Sequence, residues 1–307
     1  MRRALPATTI GLLTLGLVAA PVTAQDGELD RIDMPNGWAP EGITTDGTSL
    51  YAGSLADGSI LQADPVTGAT SVLVEGADGL VVAGLEYDDY GRLWAAGATT
   101  SEVRVYDADS GELLASYPFD GGFLNDLAAT ADAVYVSDSV VPQVAVVPLG
   151  EDGALPAPED TTTLPITGDM EYGDSFNANG IVATPVGLVV VHSGLGQLYR
   201  VDPTSGESSL IDTAGVELTA GDGLELDGSM LHVVRNRMNA IVTLELDEAL
   251  ASATLVGEAT SDDFDVPTTV ARLGDDLWAV NARFGTEATP DTEYWMTRVD
   301  APNGDDG

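Results

Sequence analysis

Six segments of this chain end in the same kind of strand and share one register, and that repeat limits the fold more than any other feature. The segments are Leu50-Tyr51-Ala52, Leu93-Trp94-Ala95, Val134-Tyr135-Val136, Leu188-Val189-Val190, Leu231-His232-Val233 and Leu277-Trp278-Ala279. Each follows another short apolar strand and a tight turn rich in Asp and Gly, the residues that suit reverse turns. Ten residues beyond the first residue of five copies stand Ile60, Val103, Val144, Leu198 and Ile241, each opening a third strand. In the sixth copy that strand is Met296 to Asp300, delayed by a nine-residue insertion. The copies start 41 to 54 residues apart, close to the ~40–50 residues of one four-stranded propeller blade. The prediction is an all-β chain folded as a six-bladed β-propeller.

The sixth copy runs out of chain at Pro302, one strand short. Before the first copy lies Leu29-Asp30-Arg31-Ile32-Asp33-Met34, with strand-like alternation. This N-terminal strand is expected to complete the last blade and close the ring, which removes an exposed sheet edge. The organisation is therefore 1–24 as a signal peptide, 25–301 as one propeller domain, and 302–307 as an acidic C-terminal tail. Arg2 and Arg3, the apolar stretch from Ile10 to Ala20, and Val22-Thr23-Ala24 before Gln25 have the layout of an export signal. A secreted, extracellular protein is expected, or a periplasmic one if the source has an outer membrane. No stretch is long and apolar enough for membrane insertion. A closed ring makes a monomer the default.

Charge narrows the partners. Asp and Glu number 50 against 11 basic residues, for a net charge of −39. Such a field repels nucleic acid and anionic lipid and favours cations and small molecules. Much of the acidity falls in turns, as in Ser261-Asp262-Asp263, which reads as solvated surface. The chain has no Cys, which excludes disulfides and thiolate chemistry.

Nine residues before each repeated segment stand Glu41, Gly84, Asn125, Asn179, Asp222 and Thr268. The first strand of a propeller blade lines the central channel, so these residues should meet at one mouth. Oxygen donors converging on an axis suit a hard divalent cation such as Ca²⁺; Mg²⁺, Mn²⁺ and Zn²⁺ are the alternatives. Equally, such residues can cap strand starts and bind channel water. A second column, at the end of the second strand, holds Ser54, Gly97, Asp138, His192, Arg235 and Asn281. It makes His192 a candidate for proton transfer and Arg235 for substrate contact. His232 falls in the column of Tyr51 and Trp94 and reads as packing.

The motifs Pro40-Glu41-Gly42, Leu124-Asn125-Asp126, Asn179-Gly180-Ile181 and Gly221-Asp222-Gly223-Leu224 together resemble those of the SMP-30/gluconolactonase/LRE-like (regucalcin-like) propellers. The resemblance runs from about Trp38 to Asp300. It implies a divalent metal held by Glu41, Asn179 and Asp222, substrate contact by Asn125 and Asp126, and Asp222 as general base. One departure matters. Members often carry Arg two residues before the third-blade Asn, where this chain has Phe123.

The resemblance implies a secreted, metal-dependent hydrolase of a lactone or related ester, with the cation on the propeller axis polarising the carbonyl. Asp222 or His192 would handle the proton, and Asn125, Asp126 and Arg235 would hold the substrate. The alternative is a non-catalytic propeller that binds a ligand or protein, its metal structural or absent. A quinone-dependent dehydrogenase fits less well, for want of His and Arg in the first column.

Overall fold

The computed structural model describes Met1 and residues 29–302. The expected signal peptide beyond Met1 and residues 303–307 of the acidic tail lie outside these. The described chain forms six sheets around one axis, antiparallel except that Thr167–Gly168 adds a short parallel outer strand to blade 4. Blade 1 is Pro40–Thr45, Leu50–Ser54, Ile60–Ala63 and Thr70–Val74, from the axis outward. The innermost strands of blades 2 to 6 are Leu85–Tyr87, Leu124–Ala129, Ala178–Thr184, Gly221–Asp227 and Pro267–Leu273. Among the described residues no helix is long and apolar enough to cross a membrane.

The ring closes as the sequence predicts. Arg31–Asp33 becomes the outer strand of blade 6, with Arg31 opposite Thr297 and Ile32 opposite Met296. Ile32 then packs with Trp38, Leu50, Trp278 and Met296 in a core shared by blades 6 and 1. Arg298 clamps the seam, its guanidinium 2.9 Å from Asp30 and 3.1 Å from Asp276.

Turn carboxylates account for part of the acidity. Asp64, Asp107 and Asp202 each accept backbone N–H bonds from the residues after them. Those bonds, led at Asp107 by one from the Ser110 hydroxyl, hold their pKa values below the usual range. In blade 5 the third strand, Ala240–Leu246, is longer. The cap there is Asp247 rather than Glu245, and its bonds, led by that from Ser252, pull it down to about 2.

In five blades the innermost strand carries the same irregularity. In blade 1, Pro40 pairs with Ser54 and Ile43 with Ala52, so two inner residues, Glu41 and Gly42, face Gly53 alone. The same step recurs after Leu124, Ala178, Gly221 and Pro267. A β-bulge bends its strand and re-aims a side chain. In blades 1, 4 and 5 the second bulge residue is a glycine that abuts the next blade too closely for a side chain. A Cβ on Gly42 would lie 2.3 Å from Ala83 O, and one on Gly180 2.3 Å from Asp222 O.

Blade 2 corrects the first column. Leu85 pairs with Ala95 as Ile43 pairs with Ala52, which makes Ala83 the counterpart of Glu41 and Gly84 the counterpart of Gly42. The first turn of blade 2 is one residue longer than in the other blades, so counting back nine residues lands one position late.

Candidate functional site at one channel mouth

Bulges on four blades deliver Glu41, Asn125, Asn179 and Asp222 to the floor of one cavity of about 390 Å³ on the axis. Ala83 fills the blade 2 position there. Thr268 does not reach the cavity. It is fully buried, and its hydroxyl donates to Glu41 O across 2.8 Å, tying blade 6 to blade 1.

Each polar floor residue of blades 3 to 5 is held by a side chain fourteen residues later, just past the second strand. Asn125 Nδ2 donates to Ser139 Oγ and Asn179 Nδ2 to Ser193 Oγ, both across 2.9 Å. Asn236 Nδ2 donates to Asp222 Oδ2 across 2.6 Å. The two serine hydroxyls spend their single proton on the next blade, on Ala178 O and Gly221 O. They can therefore only accept from the asparagines, which fixes both amides with nitrogen toward serine. Neither amide oxygen is used in those bonds, and both asparagines line the cavity. Ser139, Ser193 and Asn236 are not among the sequence candidates. They stand one residue after Asp138, His192 and Arg235, so the sequence column misses the facing residues by one.

The electrostatics of the floor are those of crowded carboxylates away from water. Burial pushes Glu41 well above the ordinary carboxylate range, and the charges of Asp222 and Asp126 push it further. Burial raises Asp222 to about 7 even though hydrogen bonds from Asn236 and Asn179 and the charge of Arg237 act the other way. Deprotonating both at once is costly unless a cation joins them. Among the described residues no group of three or more His, Asp or Glu side chains is placed to hold a metal. The oxygen donors here are two carboxylates and two amides.

The remaining sequence candidates lie elsewhere. His192 is buried, and both ring nitrogens serve the backbone. Nε2 lies 3.1 Å from Glu171 O and Nδ1 accepts from Leu195 N. Burial lowers its pKa, and the bonding describes a neutral imidazole with neither nitrogen left for substrate. Arg235 donates to Thr219 O and lines a different depression, beside Glu217 and Glu258. The cation at the cavity is Arg237, which donates to Phe284 O across 3.2 Å. Asp126 takes the bulge position that glycine holds in four blades. Its carboxylate accepts from the N–H groups of Leu127 and Ile181. It faces a separate cavity of about 250 Å³ farther down the channel, with Glu86 and Glu225, and burial raises it to about 7. Asp138 ties its loop through the N–H groups of Phe123, Val140 and Val141. His232 is buried against Thr243, as its column predicts.

Above the floor the walls are apolar. Leu55, Phe123, Phe176 and Phe284 come from loops of different blades. Phe123 and Phe176 meet edge to face with centroids 4.9 Å apart. Phe284 sits in the blade 6 insertion and Phe176 in the long connection before blade 4. Both lie outside the repeat, where register gives no information.

No protein-family model matches this chain, and no curated protein matches it. Solved structures do. The major Malassezia sympodialis allergen Mala s 1 superposes with a TM-score of 0.71 at 18% identity, covering 89% of this chain and 97% of that one. A protein of unknown function from Bacteroides thetaiotaomicron gives 0.61 at 14% identity, over 90% and 72%. Virginiamycin B lyase from Staphylococcus aureus gives 0.57 at 12% identity, over 81% and 80%. At such identities the likeness is one of fold, and the chain is a β-propeller similar to these.

Proposed function

We propose that the axial cavity is the reaction site of a divalent-metal-dependent hydrolase of lactones or related esters. The observation that carries this reading is the floor itself. Two buried carboxylates, both raised by burial and Glu41 further by the charge of Asp222, stand beside two amides whose nitrogens are engaged by serine. That donor set, hard oxygens without His or Cys, fits Ca²⁺ or a similar cation. Glu41, Asp222 and the amide oxygens of Asn125 and Asn179 would hold it. Bound there, the ion would polarise the ester carbonyl and stabilise the charge that develops on its oxygen.

The chain's own groups divide the rest. Asp222, its Oδ2 fixed by Asn236, takes a proton from the attacking water, whose oxygen bonds to the carbonyl carbon. When the ring C–O bond breaks, the same carboxyl returns the proton to the departing alkoxide, so the carboxylate is regenerated. Burial holds this carboxyl near neutrality before the ion binds, and the ion would favour its carboxylate, the form that accepts the water's proton. The apolar loops exclude bulk water. Export through residues 1–24 belongs to the same reading and predicts a mature chain beginning at Gln25.

The test is calorimetric titration with Ca²⁺, together with a lactone panel run with and without chelator. Binding that disappears in Glu41→Gln and Asp222→Asn, with turnover lost in parallel, supports the reading. Turnover that survives both chelation and Asp222→Ala overturns it. The engagement of both His192 nitrogens favours a second reading, a propeller that binds a ligand without turning it over, since it leaves the cavity without an imidazole.

A further inference from the structure

We propose that the axial cavity takes an uncharged ligand with an aromatic or branched-alkyl body, and that it discriminates against polyhydroxylated lactones. This rests on the reading of the cavity as the site of lactone or ester chemistry and names its substrate class.

The chain has five phenylalanines, and Phe123, Phe176 and Phe284 line this one cavity. They are not core residues. Phe176 is 45% exposed, and the other two are half-buried. Keeping three rings at an open mouth is unfavourable in water, and large exposed apolar groups gathered at a cleft mark a ligand surface. Leu55 and Ala220 continue the apolar wall. The carboxylates and amides are gathered at the floor, and away from it the lining carries only the hydroxyls of Ser175 and Thr219 and the guanidinium of Arg237.

A ligand seated here meets the cluster of carboxylates and amides at the floor end and three phenyl rings along its body. An ester or lactone carbonyl can reach the floor while its hydrocarbon body lies against the rings. A sugar lactone would bring hydroxyls around its whole ring against phenyl faces, where they lose water and gain no partner. An anionic ligand is opposed by Glu41 and Asp222 and by the net charge of −39.

The experiment compares 3,4-dihydrocoumarin with glucono-1,5-lactone in turnover. In parallel, calorimetry measures binding of the matching lactam, 3,4-dihydro-2(1H)-quinolinone. At least tenfold higher kcat/KM for the aromatic lactone is expected, with a tenfold loss in Phe123→Ala carried by KM and a smaller preference in Phe123→Arg. Glucono-1,5-lactone turned over as well or better overturns the inference while leaving the hydrolase intact. Lactam binding that weakens in Phe123→Ala, with neither lactone hydrolysed, keeps the ligand class and removes the hydrolase. Lactam binding that is absent, or unchanged in Phe123→Ala, together with no turnover of the aromatic lactone, overturns the inference.

Discussion

Asn236 Nδ2 donates to Asp222 Oδ2 across 2.6 Å, from the end of one strand of blade 5 back to the strand beside the axis. That bond favours the carboxylate, so it holds the Asp222 pKa down against burial. Removing it in Asn236→Ala should raise the pKa above its present value of about 7. The acid limb of kcat/KM should then move to higher pH, and Ca²⁺ affinity at pH 7 should fall, because more of Asp222 is protonated. A pH–rate profile unchanged by the substitution would separate Asp222 from the proton transfer.

Glu225 gives a pH prediction independent of the axial site. It faces the second channel cavity with Glu86, and burial raises it to about 8. Its folded pKa therefore lies above its unfolded one. The native state keeps a proton that the unfolded chain loses, so stability falls as pH rises from about 4.5 to about 8. Glu225→Gln should leave stability near pH 4 unchanged and raise it at pH 9. The expected gain is roughly 1–2 kcal/mol, because solvent entering the channel screens much of the linkage energy. Urea unfolding at the two pH values reads it.

Ring closure can be tested at Ile32, which is 1% exposed in the core shared by blades 6 and 1. Truncation in Ile32→Ala should cost about 2–5 kcal/mol, the range for a buried aliphatic side chain. If the seam opens before the rest of the ring, hydrogen exchange will rise first at Met296 and Thr297. A loss under about 1 kcal/mol, well short of that range, would mean that the outer strand of blade 6 contributes little.

Glycine substitutions separate steric contact from backbone strain. Gly180→Ala should displace the Asp222 backbone, since its Cβ would lie 2.3 Å from that carbonyl. Stability should fall by about 1–3 kcal/mol, as for overpacking, and the response to Ca²⁺ should weaken. Gly274 has φ +65° and open space around it. Gly274→Ala should cost about 1 kcal/mol and leave that response unchanged. Thermal melts with and without Ca²⁺ distinguish the two effects.

The propeller and its closure are legible because a β-blade writes its period into apolar residues. Leu50, Leu93 and Leu277 hold the same register whatever their loops do. The floor is nearly legible for the same reason, and Glu41, Asn125, Asn179 and Asp222 do meet. Gly84 is misplaced because a turn longer by one residue moves the count without moving the strand. The sequence points to His192 and Arg235 instead of Ser193 and Asn236 because side chains alternate along a strand. The bulge that sets which of two neighbours faces the axis has no composition of its own. Phe176 and Phe284 cannot be read at all, since insertions carry no repeat.

The strand pairing of Arg31 with Thr297 also sets an order of events. As the chain emerges, blades 1 to 5 can each form from contiguous sequence, but blade 6 must recruit its outer strand from the segment that precedes blade 1. Until that capture Arg31–Asp33 and Trp295–Asp300 both present unpaired backbone, and the joining contact spans nearly the whole described chain. Closing so long a loop is slow. The interval before capture is when copies of this chain are most able to pair with one another, so the yield of folded protein should depend on concentration during refolding.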